Sequence, residues 1–267
     1  MAKKIIISFF ILIYVLGQAA NLQAQDKQEL DSTWNDWNFR ISPFFWLIGF
    51  EGTIYRPPSL TNYPEPPPRY EIDVGFKDIK NSIKFALMLA GKFQSKHMVA
   101  QFNFSSLILE SEAITPLELV LQDNIVRLNY FGGDVGIGYR AIKRPKIEFE
   151  PILGLKFVAF KIGLSTNALG NIQVNGERSK TWVDPVVGAN VIYRPIKKLE
   201  FWGYGDIGPA WINNQYTYQV MASANYRFTK LFLLSIGYRY YSVEFPKKEA
   251  IYNGIIKGWV IRCSFQF

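Results

Sequence analysis

Cysteine and histidine are almost absent from this chain, and long apolar runs are missing from most of it. Cys263 is the only cysteine and His97 the only histidine in 267 residues. One cysteine cannot form an internal disulfide, and the sequence has no Cys/His spacing suited to a metal. No run of about 18 apolar residues follows the N-terminal segment, so no transmembrane helix is predicted. Disulfide scaffolds, Cys/His metal centres and helical membrane spans are therefore excluded.

Signatures of catalysis are also missing. The sequence contains no P-loop and no glycine-rich dinucleotide fingerprint after a strand. His97 stands beside Lys96 in a predicted turn, where we expect a solvated side chain. We therefore predict a protein that is not an enzyme, with no catalytic residue, no metal site and no cofactor.

Apolar and aromatic residues are abundant instead, at 49% and 16% of the chain. They recur at every second position, which is typical of strands with one apolar face. In the last segment Trp259, Ile261, Cys263, Phe265 and Phe267 share one face. The same pattern predicts ten main strands, at 38–49, 83–93, 97–109, 124–140, 146–160, 182–194, 199–211, 216–228, 231–244 and 255–267.

The connections between these strands alternate in length. Those near 94–96, 141–145, 195–198 and 229–230 are short, and most of the others are longer. Outer-membrane barrels have short periplasmic turns and longer extracellular loops. We therefore predict an all-β fold: a transmembrane, antiparallel, up-and-down β-barrel of about ten strands, with eight or twelve as alternatives.

The N-terminus has the order of a secretory signal peptide. Lys3 and Lys4 precede an apolar run that ends at Leu16, and small and polar residues follow up to Ala24. We predict a signal peptide at 1–24, a flexible segment at 25–37 and a barrel domain at 38–267. The terminal aromatics Phe265 and Phe267 are predicted to act as the barrel-assembly signal.

The stretch 50–82 contains six prolines between Pro57 and Pro68 and is the hardest to assign. Phe50 to Tyr55 and Tyr70 to Phe76 are compatible with an extra hairpin, which gives the twelve-strand alternative. Lys77 to Ser82 is compatible with a short helical turn at the barrel mouth. This stretch and the stretch 161–181 are each expected to form a long extracellular loop.

Strand parity assigns many charged side chains to the barrel lumen. Buried charges must be paired, and the interior of a narrow barrel is filled by side chains, so a plug of ion pairs is favoured over a polar pathway for solutes. The predicted lumen residues are Arg40, Lys92, Asp134, Arg140, Glu148, Glu150, Lys156, Asp184, Glu200, Asp206, Arg239 and Arg262.

The net charge of +8 arises largely in the predicted short turns. Basic residues cluster there, as in the Lys143–Lys146 and Arg194–Lys198 segments, and we interpret them as solvated turn residues rather than as a nucleic-acid surface. Trp182, near a predicted strand end, is expected in an aromatic belt at the membrane interface.

Several short motifs carry a resemblance to a known family. They are S-P-F-F-W at 42–46, W-V-D-P at 182–185, G-Y-G-D-I-G at 203–208, G-Y-R-Y at 237–240 and the final strand with its terminal Phe. Over most of its mature length the chain resembles a family of uncharacterised outer-membrane β-barrels of Gram-negative bacteria. Tyr204 departs from that pattern, because such barrels often carry a basic residue there.

The resemblance implies a location in the cell outer membrane and no established chemistry. We expect a monomeric, non-enzymatic barrel with a structural or narrow-permeability role and a charge-filled lumen. The alternative is a small-solute porin or a ligand-binding barrel that uses loops 50–82 and 161–181. The expected partners are outer-membrane lipids and, during insertion, the barrel-assembly machinery.

Overall fold

The structure is a computed structural model that describes residues 37–55, 69–112, 121–168, 172–208, 216–244 and 252–267. The predicted signal peptide and nearly all of segment 25–37 lie outside the described residues. The strands are β1 (Trp37–Tyr55), β2 (Arg69–Val74), β3 (Ile83–Ser95), β4 (Met98–Glu112), β5 (Leu121–Tyr139), β6 (Ile142–Lys143), β7 (Ile147–Ala168), β8 (Ile172–Ile196), β9 (Leu199–Gly208), β10 (Tyr216–Arg227), β11 (Phe232–Glu244) and β12 (Tyr252–Gln266). A single-turn helix, α1 (Phe76–Ile79), follows β2.

Ten of these strands close into one antiparallel barrel. Each pairs with its neighbours in the order β1, β3, β4, β5, β7, β8, β9, β10, β11 and β12, and β12 pairs back onto β1. The other two are accessory: β2 pairs only with the upper part of β1, and β6 is a two-residue bridge in the turn before β7. The prediction of a ten-stranded barrel is confirmed.

The predicted extra hairpin and helical turn are also present, as β1–β2 and α1, within the stretch that was expected to be a loop. The prediction of a long loop at 161–181 is wrong. β7 continues to Ala168 and β8 begins at Ile172, with continuous pairing from Ile147↔Tyr193 to Ala168↔Ile172. The odd-numbered positions of this stretch continue the outward parity of β7 and β8 but are polar or glycine in both strands, so the stretch lacks the lipid-facing apolar row by which the other strands are recognised.

The outer surface carries a continuous apolar belt. Side chains at alternate positions point away from the lumen, and Leu153 and Val187 are each 60% exposed. Other members of the belt are Leu87, Val135, Ile137, Leu155, Val183, Val220, Ile236, Trp259 and Ile261. Exposed apolar surface of this extent on a closed barrel is matched to lipid rather than to water.

Two different rims border the belt. At the end where β1 begins, β12 ends and the short turns lie, exposed aromatics lie next to basic turn residues. These aromatics include Phe39, Phe93, Tyr139, Tyr193, Phe201, Tyr226 and Phe228. At the opposite end, outward charges of both signs form ion pairs, such as Arg127 with Glu110 at 2.6 Å. The hydrogen bond from Arg127 lowers the pKa of the Glu110 carboxyl.

The interior above the middle of the barrel is apolar, which the sequence interpretation missed. Its largest buried members are Phe44, Trp46, Ile48, Phe50, Met88, Leu107, Leu109, Tyr130, Val158, Phe160, Trp182, Met221, Tyr241, Ile256 and Val260. Val74 of β2 and Ile79 of α1 pack against this apolar cluster from the side of the accessory hairpin. The interior is therefore only partly filled by charge.

Trp182 belongs to this apolar cluster, so its assignment to an interfacial belt is wrong. It is 7% exposed and stacks on Phe160, with 6.0 Å between ring centroids. Cys263 lies on the lipid side, because the register pairs it with the outward Leu234. Cys263 is small and is covered by its neighbours, so it is only 3% exposed.

The two predicted assembly aromatics differ in their surroundings. Phe265 is buried on the outer face against Phe232, with ring centroids 5.6 Å apart. Phe267 is 67% exposed, and its backbone exchanges two hydrogen bonds with Phe39. Their role in assembly stays a prediction. In the described part of the chain no helix is long and apolar enough to cross a bilayer.

Candidate functional site in the barrel interior

The barrel interior is the candidate site, because strand parity brings all of the predicted lumen residues into it. Ten of the twelve, together with Arg194 and Gln219, form two tiers. The lower network, near the short turns, consists of Arg40, Lys92, Arg140, Glu148, Glu150, Arg194 and Glu200. The upper network, at mid-height, consists of Asp134, Lys156, Asp206, Gln219 and Arg239.

Glu150 is the main acceptor on one side of the lower network. Its carboxylate accepts hydrogen bonds from Lys92 Nζ at 2.6 Å, Gln94 Nε2 at 2.7 Å and Asn190 Nδ2 at 3.0 Å. Arg140 Nε adds an ion-pair contact at 3.8 Å. Glu150 is fully buried. A buried carboxylate of this kind is tolerable only with such a set of donors.

Arg194 links the two other carboxylates of the lower network. Its Nη1 lies 2.7 Å from Glu148 Oε1 and its Nε lies 2.8 Å from Glu200 Oε2. Arg140 reaches the second oxygen of Glu148 at 3.0 Å, and Arg40 reaches Glu200 at 3.1 Å. Cations and carboxylates thus alternate through the lower network.

These contacts cross the lumen and do not only join neighbouring strands. Arg40 on β1 meets Glu200 on β9, and Asn190 on β8 donates to Gln101 on β4 at 2.8 Å. In both cases at least two other strands separate the partners along the sheet. The lower network therefore spans the interior at the end near the short turns.

The upper network is organised by Gln219. Its Nε2 donates to Asp206 Oδ2 at 3.2 Å, and its Oε1 accepts from Arg239 Nε at 2.9 Å. Lys156 forms an ion pair with the same Asp206. Asp134 lies 3.9 Å from Arg239 Nη2. The guanidinium of Arg239 also lies over the Trp46 ring at 4.5 Å, which joins this network to the apolar cluster.

Two further predicted lumen residues are Asp184 and Arg262. Asp184 is buried, is the register partner of Lys156 across the β7–β8 pair, and accepts a hydrogen bond from Thr217 Oγ1 at 3.5 Å. Arg262 lies between the Phe44 and Trp202 rings, at 5.6 and 5.1 Å from their centroids, and its Nη2 contacts the Met221 sulfur at 3.7 Å. Among the described residues, no carboxylate lies within ion-pair distance of Arg262.

Sequence reasoning missed several members of the site. Arg194 was assigned to a basic turn because it precedes Pro195 and two lysines, yet it is the central cation of the lower network. Arg194 follows Asn190 and Ile192 at alternate positions of the same strand, and these two residues are buried on the inward face. This alternation could have placed Arg194 in the lumen from the sequence alone. The amides Gln94, Asn190 and Gln219 carry no charge and were therefore not selected.

A cavity of about 60 Å³ lies between the two networks. It has room for a few water molecules. The charged side chains that line it are Arg40, Lys92, Asp134, Arg194, Glu200 and Arg262. Above it, the apolar cluster fills the interior.

His97 lies where the sequence predicts it, exposed in the turn between β3 and β4 and stacked on Tyr139 at 6.3 Å. It is at the end of the barrel that carries the short turns, outside the lumen. In the ranges that the structure describes, no group of three or more His, Cys, Asp or Glu side chains is arranged to hold a metal ion.

A closed antiparallel barrel with an outward apolar belt, aromatic rims and an inward polar face defines an integral outer-membrane β-barrel. Its short turns then lie on the periplasmic side and its opposite end is extracellular. No protein-family model matches the sequence, and no curated protein shows significant similarity to it. The resemblance to one uncharacterised family therefore stays a prediction.

Solved structures with a similar strand arrangement include the outer-membrane protease OmpT of Escherichia coli. It is 12% identical, with a TM-score of 0.47 over 90% of this chain and 99% of that one. Ail of Yersinia pestis, solved with a heparin analogue, is 11% identical, with a TM-score of 0.35 over 87% and 99%. The toluene transporter TodX of Pseudomonas putida is 8% identical, with a TM-score of 0.35 over 87% and 89%.

Proposed function

We propose that this protein is a non-conducting, non-enzymatic barrel of the outer membrane with a structural role. The observation that carries the proposal is the lower network, in which ion pairs join strands across the lumen. The apolar cluster closes the same interior from the extracellular half. In this proposal the two obstructions lie in series and together prevent the passage of a hydrated solute.

The two obstructions oppose permeation by different physics. An ion entering the lower network would have to displace ion pairs that are held in a low dielectric, where each unpaired charge is costly. A solute entering the apolar cluster would lose its hydration without gaining hydrogen bonds. The small-solute channel is therefore the less favoured alternative.

Planar-bilayer recording of the purified barrel tests this proposal. We expect no stepwise conductance above that of the bare membrane. A channel of comparable size, inserted in the same membrane, verifies that conductance is detectable. Reproducible single-channel steps from the folded protein would overturn the proposal and favour the small-solute channel.

The non-enzymatic part of the proposal is supported by the position of the single histidine. His97 is exposed on the periplasmic rim, whereas the carboxylates Glu148, Glu150 and Glu200 are buried and engaged by cations. Peptidase, lipase and deacylase assays on the folded protein should therefore show no turnover. Activity that is lost in His97→Ala, with folding retained, would contradict it.

Membrane lipids are the main partner in this proposal, because the apolar belt must be covered. The barrel-assembly machinery is the expected partner during insertion. Each barrel closes on itself through β1 and β12, so no second copy is needed to complete the sheet, and we expect a monomer. Light scattering in detergent, corrected for bound detergent, tests the monomer directly.

A further inference from the structure

We propose that the internal cavity holds a small monovalent inorganic anion, such as chloride, bound by Arg262. The anion would neutralise a cation that the two networks leave without a counter-charge. This site is independent of permeation, since an anion can be bound inside a barrel that does not conduct.

The first argument is the charge of the cavity wall. Four cations line it, namely Arg40, Lys92, Arg194 and Arg262, against two carboxylates, Asp134 and Glu200. Glu200 is already shared by Arg40 and Arg194, and Lys92 is paired with Glu150. Asp134 has its nearest ion-pair contact with Arg239. The remaining positive charge belongs to Arg262.

The second argument is the surroundings of Arg262 itself. The faces of Phe44 and Trp202 attract its guanidinium but carry no net charge, so they do not neutralise it. Its Nε is buried and has no hydrogen-bond acceptor among the described residues. A partly buried charge with an unused buried donor favours an external counter-ion.

The third argument is the shape and polarity of the cavity. About 60 Å³ accommodates one halide-sized ion with one or two waters but excludes large organic anions. Ser264 also lines the cavity and accepts a hydrogen bond from Ser42 at 2.8 Å, so its own proton is free to donate. Arg262 and Ser264 occupy the same face of β12 and both line the cavity, so each can offer a donor to an ion held there.

Bromide replaces chloride and scatters anomalously, so it reports the site directly. Crystals of the folded barrel soaked in bromide should show an anomalous peak in the cavity beside Arg262. No peak in a cavity that remains open in the electron density would overturn the proposal. This measurement needs no variant and does not depend on the stability of a mutant.

Thermal unfolding in detergent provides the second test. At constant ionic strength, replacing gluconate by chloride should raise the transition temperature by a few degrees, because a ligand that binds only the folded state stabilises it. The Arg262→Met variant should lose this response, and Asp134→Asn should strengthen it, since a competing negative charge in the wall is removed.

The matched control is Arg127→Met, which removes an arginine whose side chain is 59% exposed on the outer rim. It should keep the full chloride response. An equal response in the wild type, Arg262→Met and Arg127→Met would show a general salt effect and would overturn the proposal.

Discussion

Lys92 Nζ lies 2.6 Å from Glu150 Oε2, although these residues belong to β3 and β7, which are not neighbours in the sheet. β4 and β5 lie between them, so the ion pair crosses part of the lumen. Cross-lumen contacts of this kind connect opposite walls of the barrel. In the proposed non-conducting barrel, they make the polar interior a source of rigidity rather than a water-filled path.

Removing the Glu150 carboxylate should destabilise the barrel strongly. Glu150→Leu leaves Lys92, Gln94 and Asn190 without their shared acceptor, and breaking a buried pair in this way costs about 3–5 kcal/mol. The expected result is a clear fall in the temperature at which the unboiled protein loses its compact migration on gel electrophoresis. Glu177→Gln, which changes a carboxylate with 59% side-chain exposure, should leave that temperature unchanged. Equal stability of the two variants would contradict the role of the lower network.

Loosening the lower network alone should not open the barrel. The double variant Arg140→Ala, Arg194→Ala removes two cations from the lower end, but the apolar cluster above the cavity stays intact. We therefore expect a less stable barrel that still shows no conductance in planar bilayers. Conductance should appear only when large apolar side chains such as Trp46 and Tyr241 are also replaced by alanine. Stepwise conductance in the first double variant would show that the apolar cluster is not a barrier.

Strand parity predicted the lumen charges because a charged residue among outward apolar neighbours fixes the orientation of the whole strand. Arg239 between Tyr238 and Tyr240 is such a case. The apolar cluster could not be found in the same way. From Phe44 to Phe50 nearly every residue is apolar, so alternation does not distinguish the face toward lipid from the face toward the lumen.

The upper part of β7 and β8 was missed for the opposite physical reason. Above the belt the odd-numbered positions of this hairpin, which continue the outward parity of β7 and β8, are polar or glycine, so no lipid-facing apolar row marks a strand. Its pairing is set by backbone hydrogen bonds that continue from the membrane-embedded part of the same two strands. The apolar alternation used to predict strands arises from contact with lipid, so it cannot reveal a part of β7 and β8 that extends beyond the belt.

Tryptophan quenching should distinguish the two faces of the barrel. Trp259 points outward and is 54% exposed within the belt, whereas Trp182 is buried in the apolar cluster. In variants that retain one tryptophan each, lipids with brominated acyl chains should quench Trp259 strongly and Trp182 weakly. Strong quenching of Trp182 would contradict its burial in the apolar cluster and favour the interfacial position predicted from the sequence.

Gly258 should be indispensable at the seam where β12 closes on β1. It pairs with Ile48, and the backbone carbonyl of Leu47 occupies the space where a Cβ at position 258 would lie. In Gly258→Ala the two strands must separate locally, and an overpacked site of this kind costs about 1–3 kcal/mol.

Gly203→Ala is the matched control, because nothing lies within 4 Å of the corresponding Cβ position. We expect a lowered unfolding temperature for Gly258→Ala and little change for Gly203→Ala, both measured by loss of compact migration on heating. If Gly258→Ala were as stable as the wild type, the close approach of β12 to β1 at this position would be wrong.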